Sequence, residues 1–278
     1  MSEADPRVTL ARSDLAAAQL EGLLAAAHYA PPQAWAVAAP VAPLHRAPDG
    51  ASERLDELIL GERFDVLEPH GDFVWGQARR DGYVGFVRAA DLAPAGPMPT
   101  HRVSALRTYA FAEPSIKSPA RGPFSLGALV AVEAAAGEFS RAASGPWFWT
   151  AHLAPVGVFE HDPAAVAERF LGAPYLWGGR TSVGLDCSGL VQQSLYACGR
   201  ACPRDADQQA ALGRAIGGGE LARGDLVCWR GHIGLMLDGA RLIHANGHHM
   251  AVAIEPVAEA IRRIEAAGAG GPTAFRRL

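Results

Sequence analysis

A cysteine and two histidines are the residues of this chain whose types and spacing could do covalent chemistry. Cys187 stands in Asp186-Cys187-Ser188-Gly189-Leu190, a short loop after Pro174-Tyr175-Leu176-Trp177-Gly178-Gly179. Leu190, Val191, Leu195 and Cys198 follow at three- and four-residue steps. That spacing predicts an amphipathic helix with one buried face, closed by Gly199 at its C-terminus. Cys187 then occupies the first turn, where unsatisfied N–H groups and the positive end of the helix dipole point at its sulfur. Such a site can draw a thiol from about 8.5 to roughly 3.5–7.5, and the thiolate is the nucleophile. The same N–H groups can hold the oxyanion formed when a carbonyl is attacked. Cysteine is also among the most buried residue types, so position alone does not separate a reactive thiol from an inert one.

The histidines lie downstream, on what reads as a run of short strands. Gly224 to Trp229, Gly231 to Leu237 and Arg241 to Asn246 are separated by turns, the last at Asp238-Gly239-Ala240. His232 begins one arm of a hairpin and His244 lies in the other. A general base and a group that holds it would be arranged in this way. Strand alternation sets a condition. A two-residue loop at Gly239-Ala240 would put the histidines on opposite faces. An odd-length loop such as Asp238 to Ala240, or a bulge, puts them on one face. A histidine alone on a strand is more often a satisfied core or edge residue. A cysteine followed by two histidines on one hairpin is a stronger signal.

The motifs YLWGG, DCSGL, PRDADQQ, GDLVCW, GHIGLML and LIHAN, in that order, resemble the NlpC-type papain-like cysteine peptidases of bacterial cell-wall metabolism. The resemblance covers residues 157–278 and implies an α+β fold there. It implies Cys187 as nucleophile, His232 as general base and then acid, and His244 as the orienting residue. Tyr175 matches the family tyrosine that lies beside the nucleophile and helps bind the oxyanion. Asp186, Ser188 and Asp205 match positions that line the substrate groove. Ala206 departs from the pattern, since members with this motif often carry a serine there, and alanine has no hydroxyl to hydrogen-bond substrate. The chemistry calls for no metal and no organic cofactor.

Those elements must be positioned by a chain of 278 residues, enough for two or three domains. With 49% apolar residues it is globular, and a net charge of −4 gives no reason to expect nucleic acid or an anionic membrane as partner. No stretch approaches the ~18 consecutive apolar residues of a membrane span. The N-terminus, Met-Ser-Glu-Ala-Asp-Pro-Arg, lacks the order of a signal peptide, so a cytoplasmic location is expected, as is a monomer. Cys198, Cys202 and Cys228 read as structural, because only one loose pair has anything like ligand spacing. His248 and His249 read as a solvated turn.

In chain order, residues 8–29 predict a helix with Leu15, Leu20, Leu23 and Leu24 as its stripe, within an N-terminal segment 1–34. Residues 35–96 change to five short strands, near 35–37, 42–44, 63–67, 73–78 and 83–87. Leu60-Gly61-Glu62, Trp75 and Asp81 to Val87 resemble a bacterial SH3-like barrel. A more divergent copy is expected over 97–156, with Leu126-Gly127 where Leu60-Gly61 stood and Trp147 roughly where Trp75 stood. Asp162-Pro163 then start a helix that leads into the catalytic loop.

Two barrels before a papain-like domain resemble family members that act on short wall peptides with a free N-terminus. The resemblance implies cleavage of the γ-D-glutamyl bond to a diamino acid in L-Ala-γ-D-Glu-diaminopimelate during recycling. The first barrel would recognise the free amine. A buried amine wants a carboxylate and an aromatic wall, and Glu53 and Tyr83 stand in roughly matching places. The alternatives are an amidase or acyltransferase on the same Cys–His frame, and a non-catalytic binder of peptidoglycan fragments.

Overall fold

The computed structural model describes residues 4–278. The chain divides into two compact units, Met1–Val156 and Gly157–Leu278.

In the first unit, the five strands expected after residue 35 are all present. A sixth, Arg54–Ile59, was not expected, and Leu92–Pro94 closes the set. They form one seven-stranded sheet curled around Val37, Leu44, Leu58, Phe64, Val66, Val74, Tyr83 and Val87. Residues 101–155 repeat the plan as a three-stranded and a five-stranded sheet around Val103, Ala110, Phe124, Val130 and Phe148. The two sets correspond closely at their starts. The Gly61 N–H bonds the Val37 carbonyl at 2.9 Å, and the Gly127 N–H bonds the Val103 carbonyl at 2.9 Å. Both sets also end on a single 3₁₀ turn followed by a Leu-Ala-Pro strand, Leu92–Pro94 and Leu153–Pro155. Trp147 does not repeat Trp75. Trp75 lies in Phe73–Ala78, whereas Trp147 opens Trp147–Trp149, the next strand along in the plan.

The expected N-terminal helix is absent from residues 4–34, while residues 1–3 lie outside the described residues. Leu15–Ala17 and His28–Ala30 form a two-stranded parallel pair, with a 3₁₀ turn at Ala18–Leu20. The reason is tertiary. Leu10 and Ala17 bury themselves against Trp75 and Val84 of the barrel. Arg12 lies 4.1 Å over the Trp75 ring and reaches Glu68 at 2.7 Å. Gly22 sits at φ 78°, which a helix interior does not allow, and Leu23 of the supposed stripe is exposed.

In the second unit, Asp162 caps the helix Pro163–Glu168 by accepting the Ala164 N–H at 2.9 Å, with proline at its first position. The helix Cys187–Ala197 packs on a six-stranded antiparallel sheet. Its order is Arg214–Ala215, Ala274–Arg277, Leu226–Trp229, His232–Met236, Arg241–Asn246 and Ala251–Pro256. The helix Val257–Ala266 covers part of the sheet through Val257 and Ala260. The nucleophile-bearing helix is buried on every side rather than along one face. Two of its polar residues are satisfied internally where the sequence looked amphipathic: Ser194 Oγ donates to the Leu190 carbonyl at 2.8 Å, and Gln192 meets Arg180 and the Cys202 carbonyl. It ends in a Schellman turn, Arg200 N–H to Leu195 carbonyl and Gly199 N–H to Tyr196 carbonyl. No helix among the described residues is long and apolar enough to cross a membrane.

Candidate active site

Cys187 is the first residue of its helix, as its spacing predicted, and Asp186 is the N-cap. Asp186 Oδ1 accepts the Gly189 N–H at 2.7 Å and Oδ2 accepts the Gly178 N–H at 2.9 Å. Arg204 closes on both oxygens, at 3.0 and 2.7 Å, and donates to Ser188 Oγ at 2.8 Å. A single carboxylate thus ties the loop, the helix start and the Pro203-Arg204-Asp205 segment together. Gly189 permits the arrangement, because a Cβ there would lie 2.3 Å from the Gly179 carbonyl oxygen. Asp186 and Ser188, expected along the groove, are buried and turned toward Arg204. Asp205 caps the short helix Ala206–Gln209 in a capping box with Gln208 and is partly exposed. Arg204 was not singled out in the sequence. Nothing in its immediate neighbours marks it as a partner for a carboxylate 18 residues earlier.

The thiol does not have the lowered pKa expected of a helix N-terminus. Burial raises it most and the Asp186 charge adds to that. The Ile233 amide, Arg204 and the Ser188 amide pull the other way, and the net result is pushed up to about 12. The contribution of Ile233 places the sulfur against the strand His232–Met236, beside the first histidine.

The hairpin meets the condition set by strand alternation. Leu235 pairs with Ile243 and Met236 with Leu242, and the Leu237 N–H bonds the Arg241 carbonyl, leaving the three-residue loop 238–240. Both histidines therefore share a face, with His232 Nε2 2.8 Å from His244 Nδ1. Beyond them lies a residue the sequence did not announce. His244 Nε2 is 2.6 Å from Glu255 Oε1, and Arg263 of the covering helix grips the same oxygen. Glu255 pairs in register with Leu242, which puts it on the His244 face one step along. Burial, then the neighbouring His244, pushes His232 down to about 3. Burial also lowers His244. Burial opposes the charge on Glu255, but hydrogen bonds from His244 and Arg263 prevail and hold it at about 2. The Trp229 ring lies 5.5 Å from that of His232, at 40°.

Tyr175 bridges to Leu185, two residues before the nucleophile, and its N–H bonds the Met250 carbonyl at 2.9 Å. Burial, then the charges of Cys187 and Asp186, raise its phenol, so it keeps its proton and can donate. The rim around it carries exposed Trp177, Val183 and Met250. His248 and His249 lie on an exposed turn, as their surroundings in sequence implied. In the first unit, Glu53 is exposed and paired with Arg46 at 2.8 Å, and Tyr83 is part of the barrel core.

A buried thiol at a helix N-terminus, packed on an antiparallel sheet that carries a hydrogen-bonded histidine pair, is the arrangement of the papain-like α+β fold. Residues 172–267 match the NlpC/P60 family, and residues 44–92 match the bacterial dipeptidyl-peptidase Sh3 domain. Residues 172–267 thus form an NlpC/P60-type domain. The chain is 35% identical over 100 residues to a gamma-D-glutamyl-L-lysine dipeptidyl-peptidase of Bacillus subtilis, covering 33% of this chain and 34% of that protein. It is 36% identical over 86 residues to a probable endopeptidase NlpC homolog of Haemophilus influenzae, 30% of this chain and 47% of that one. The chain thus spans about a third to a half of these relatives' length. The fold is similar to the crystal structure of an NlpC/P60 family protein from Bacillus cereus, with a TM-score of 0.75 at 18% identity, over 88% of this chain and 99% of that one.

Proposed function

We propose that the protein is a cysteine peptidase that cuts the bond between γ-D-glutamate and a diamino acid in short peptidoglycan peptides. The observation that carries the chemistry is the hydrogen bond between His232 and His244 at 2.8 Å, on a sheet whose Ile233 amide meets the helix-borne Cys187. A fragment binder has no use for a buried thiol next to an oriented imidazole. The substrate class draws support from the names of two relatives, both gamma-D-glutamyl-L-lysine dipeptidyl-peptidases, one of them 32% identical over 104 residues. The SH3 match is named for dipeptidyl-peptidases as well. A dipeptidyl-peptidase releases two residues from a free N-terminus, which fits L-Ala-γ-D-Glu as product and a role in recycling.

The thiol of Cys187 passes its proton to His232 as sulfur bonds to the γ-glutamyl carbonyl carbon. The Cys187 N–H and the Tyr175 hydroxyl hold the oxyanion. Collapse breaks the C–N bond, and His232 returns the proton to the departing amine. His232 then takes a proton from water, whose attack on the thioester releases the acid and restores the thiol. A neutral resting pair suits this sequence, because the base must be unprotonated at the start.

The test is incubation with L-Ala-γ-D-Glu-diaminopimelate, its lysine counterpart and their N-acetylated forms, with products read by mass spectrometry and Cys187→Ala as control. Release of L-Ala-γ-D-Glu from the free peptides alone, lost in C187A, is the expected result. Cleavage of the acetylated peptides as well would remove the amine requirement and any part for Glu53 or Tyr83 in it. No cleavage of any of them would overturn the proposal in favour of amidase or acyltransferase chemistry.

A further inference from the structure

We infer that Glu255 is a positioning residue that fixes the proton positions on both histidines, making Nδ1 of His232 the basic nitrogen. The inference follows from donors and acceptors along one line of contacts. An ionised carboxylate can only accept hydrogen bonds. Glu255 is gripped by Arg263, so its charge is retained, and its Oε1 lies 2.6 Å from His244 Nε2. That nitrogen must carry a hydrogen, since a bare imidazole nitrogen would set two acceptors against each other. A neutral His244 protonated at Nε2 offers a lone pair at Nδ1. His232 Nε2, 2.8 Å away, must then be the donor of that contact. A neutral His232 protonated at Nε2 has its lone pair at Nδ1, the only ring nitrogen left to receive the thiol proton. Without the carboxylate, the opposite tautomers satisfy the His232–His244 contact equally well. They leave His232 with a hydrogen on Nδ1 and nothing to accept with. Glu255 and Arg263 thus control, from one residue beyond the histidine pair, whether His232 can act as a base.

The inference rests on the peptidase reading for its activity arm only. The direct test is nitrogen-15 NMR of the full chain with labelled histidine near neutral pH, where the two tautomers of each ring give distinct shifts. In the parent protein His232 and His244 should both carry their hydrogen on Nε2. Glu255→Ala should shift both toward the Nδ1–H form. Glu255→Gln, whose amide oxygen can still accept from His244, should keep the parent pattern. On a peptide substrate, E255A should lower kcat about twofold or more with KM unchanged, in proportion to the share of molecules whose His232 carries its hydrogen on Nδ1, a form that can cost ~10⁴ in a catalytic triad. E255Q should recover most of that rate. An Nδ1–H form of His232 in the parent protein, or unchanged tautomers in E255A, would overturn the inference. If E255A fails to fold, the parent and E255Q spectra still decide it. A parent protein that cleaves no peptide while showing the expected spectra would defeat the peptidase reading and leave this one standing.

Discussion

Asp186 and Arg204 meet across the start of the nucleophile helix, each guanidinium nitrogen on one carboxylate oxygen, with both side chains buried. The pair sets the position of Cys187 without touching its sulfur. The same carboxylate also opposes ionisation of the neighbouring thiol, and Arg204 offsets part of that.

Removing one member leaves a buried charge without its partner. Arg204→Met should lower the stability of the C-terminal domain by about 3–5 kcal/mol, the usual cost of breaking a buried ion pair. Adding Asp186→Asn to it should recover part of the loss, since the charge is then gone and Oδ1 still caps Gly189. Urea unfolding of the two variants and the parent checks this. A loss below about 1 kcal/mol in R204M would show that the amides of Gly178 and Gly189 alone satisfy Asp186.

The raised thiol predicts slow alkylation of the resting protein. Thiolate is the reactive form, so a pKa near 12 means that iodoacetamide should modify Cys187 faster by roughly tenfold per pH unit through pH 9, with no plateau below it. Half-exposed Cys198 should label first at pH 7, ahead of buried Cys228, whose thiol burial pushes up to about 11. Peptide mapping separates the sites. A plateau in Cys187 labelling below pH 7 would mean that thiolate and imidazolium already exist as a pair before substrate arrives.

What the sequence disclosed divides along a physical line. Cys187 at a helix start, and His232 and His244 on the two arms of a hairpin, were legible because local periodicity places them. Alternation left their shared face conditional on an odd-length loop or a bulge, and the register shows the three-residue loop. Arg204 and Glu255 were not legible, because each is defined by a partner brought close only by the fold. The strand Arg54–Ile59 was missed because charges fall on both of its alternating faces, with Asp56 and Glu57 buried among Leu58 and Ile59. The N-terminal leucines kept helical spacing, but contact with Trp75 and a glycine at positive φ decided the outcome.

Gly189 offers a sharp check on the packing of the nucleophile. A methyl group there would sit 2.3 Å from the Gly179 carbonyl oxygen, which belongs to backbone and cannot swing away. The helix start must move, at a cost of about 1–3 kcal/mol or more. Gly189→Ala should therefore destabilise the domain and lower kcat more than KM, because Cys187 shifts with the helix. Gly247→Ala, in an exposed turn where a Cβ meets nothing within 4 Å, should leave both unchanged. Equal behaviour of the two variants would contradict the close approach of loop and helix.

Three groups of the site, His232, His244 and Glu255, make stability depend on acid, with both histidines lowered first by burial. His232 titrates in the fold at about 3, because burial and then His244 disfavour its charge, whereas an unfolded histidine takes its proton near ~6.5. The unfolded chain binds more protons between those values, so stability falls as pH drops from about 6.5 toward 3. Glu255 adds a second loss lower down. Its carboxylate stays ionised to about 2 in the fold, and unfolded glutamate takes a proton near ~4.3. Its contribution is present above that value and lost as pH falls toward 2. Urea unfolding of the C-terminal domain across pH 7.5 to 2 should show a decline of up to about 1.4 kcal/mol per pH unit for each group in its window. His232→Gln, which takes no proton, should make the curve shallower between pH 6.5 and 4.5, where His244 keeps its own share, and spare the lower limb. Glu255→Gln should flatten the lower limb. An H232Q curve as steep as the parent's would mean that His232 is protonated within the fold at ordinary pH, and that the base is not neutral at the start of the reaction.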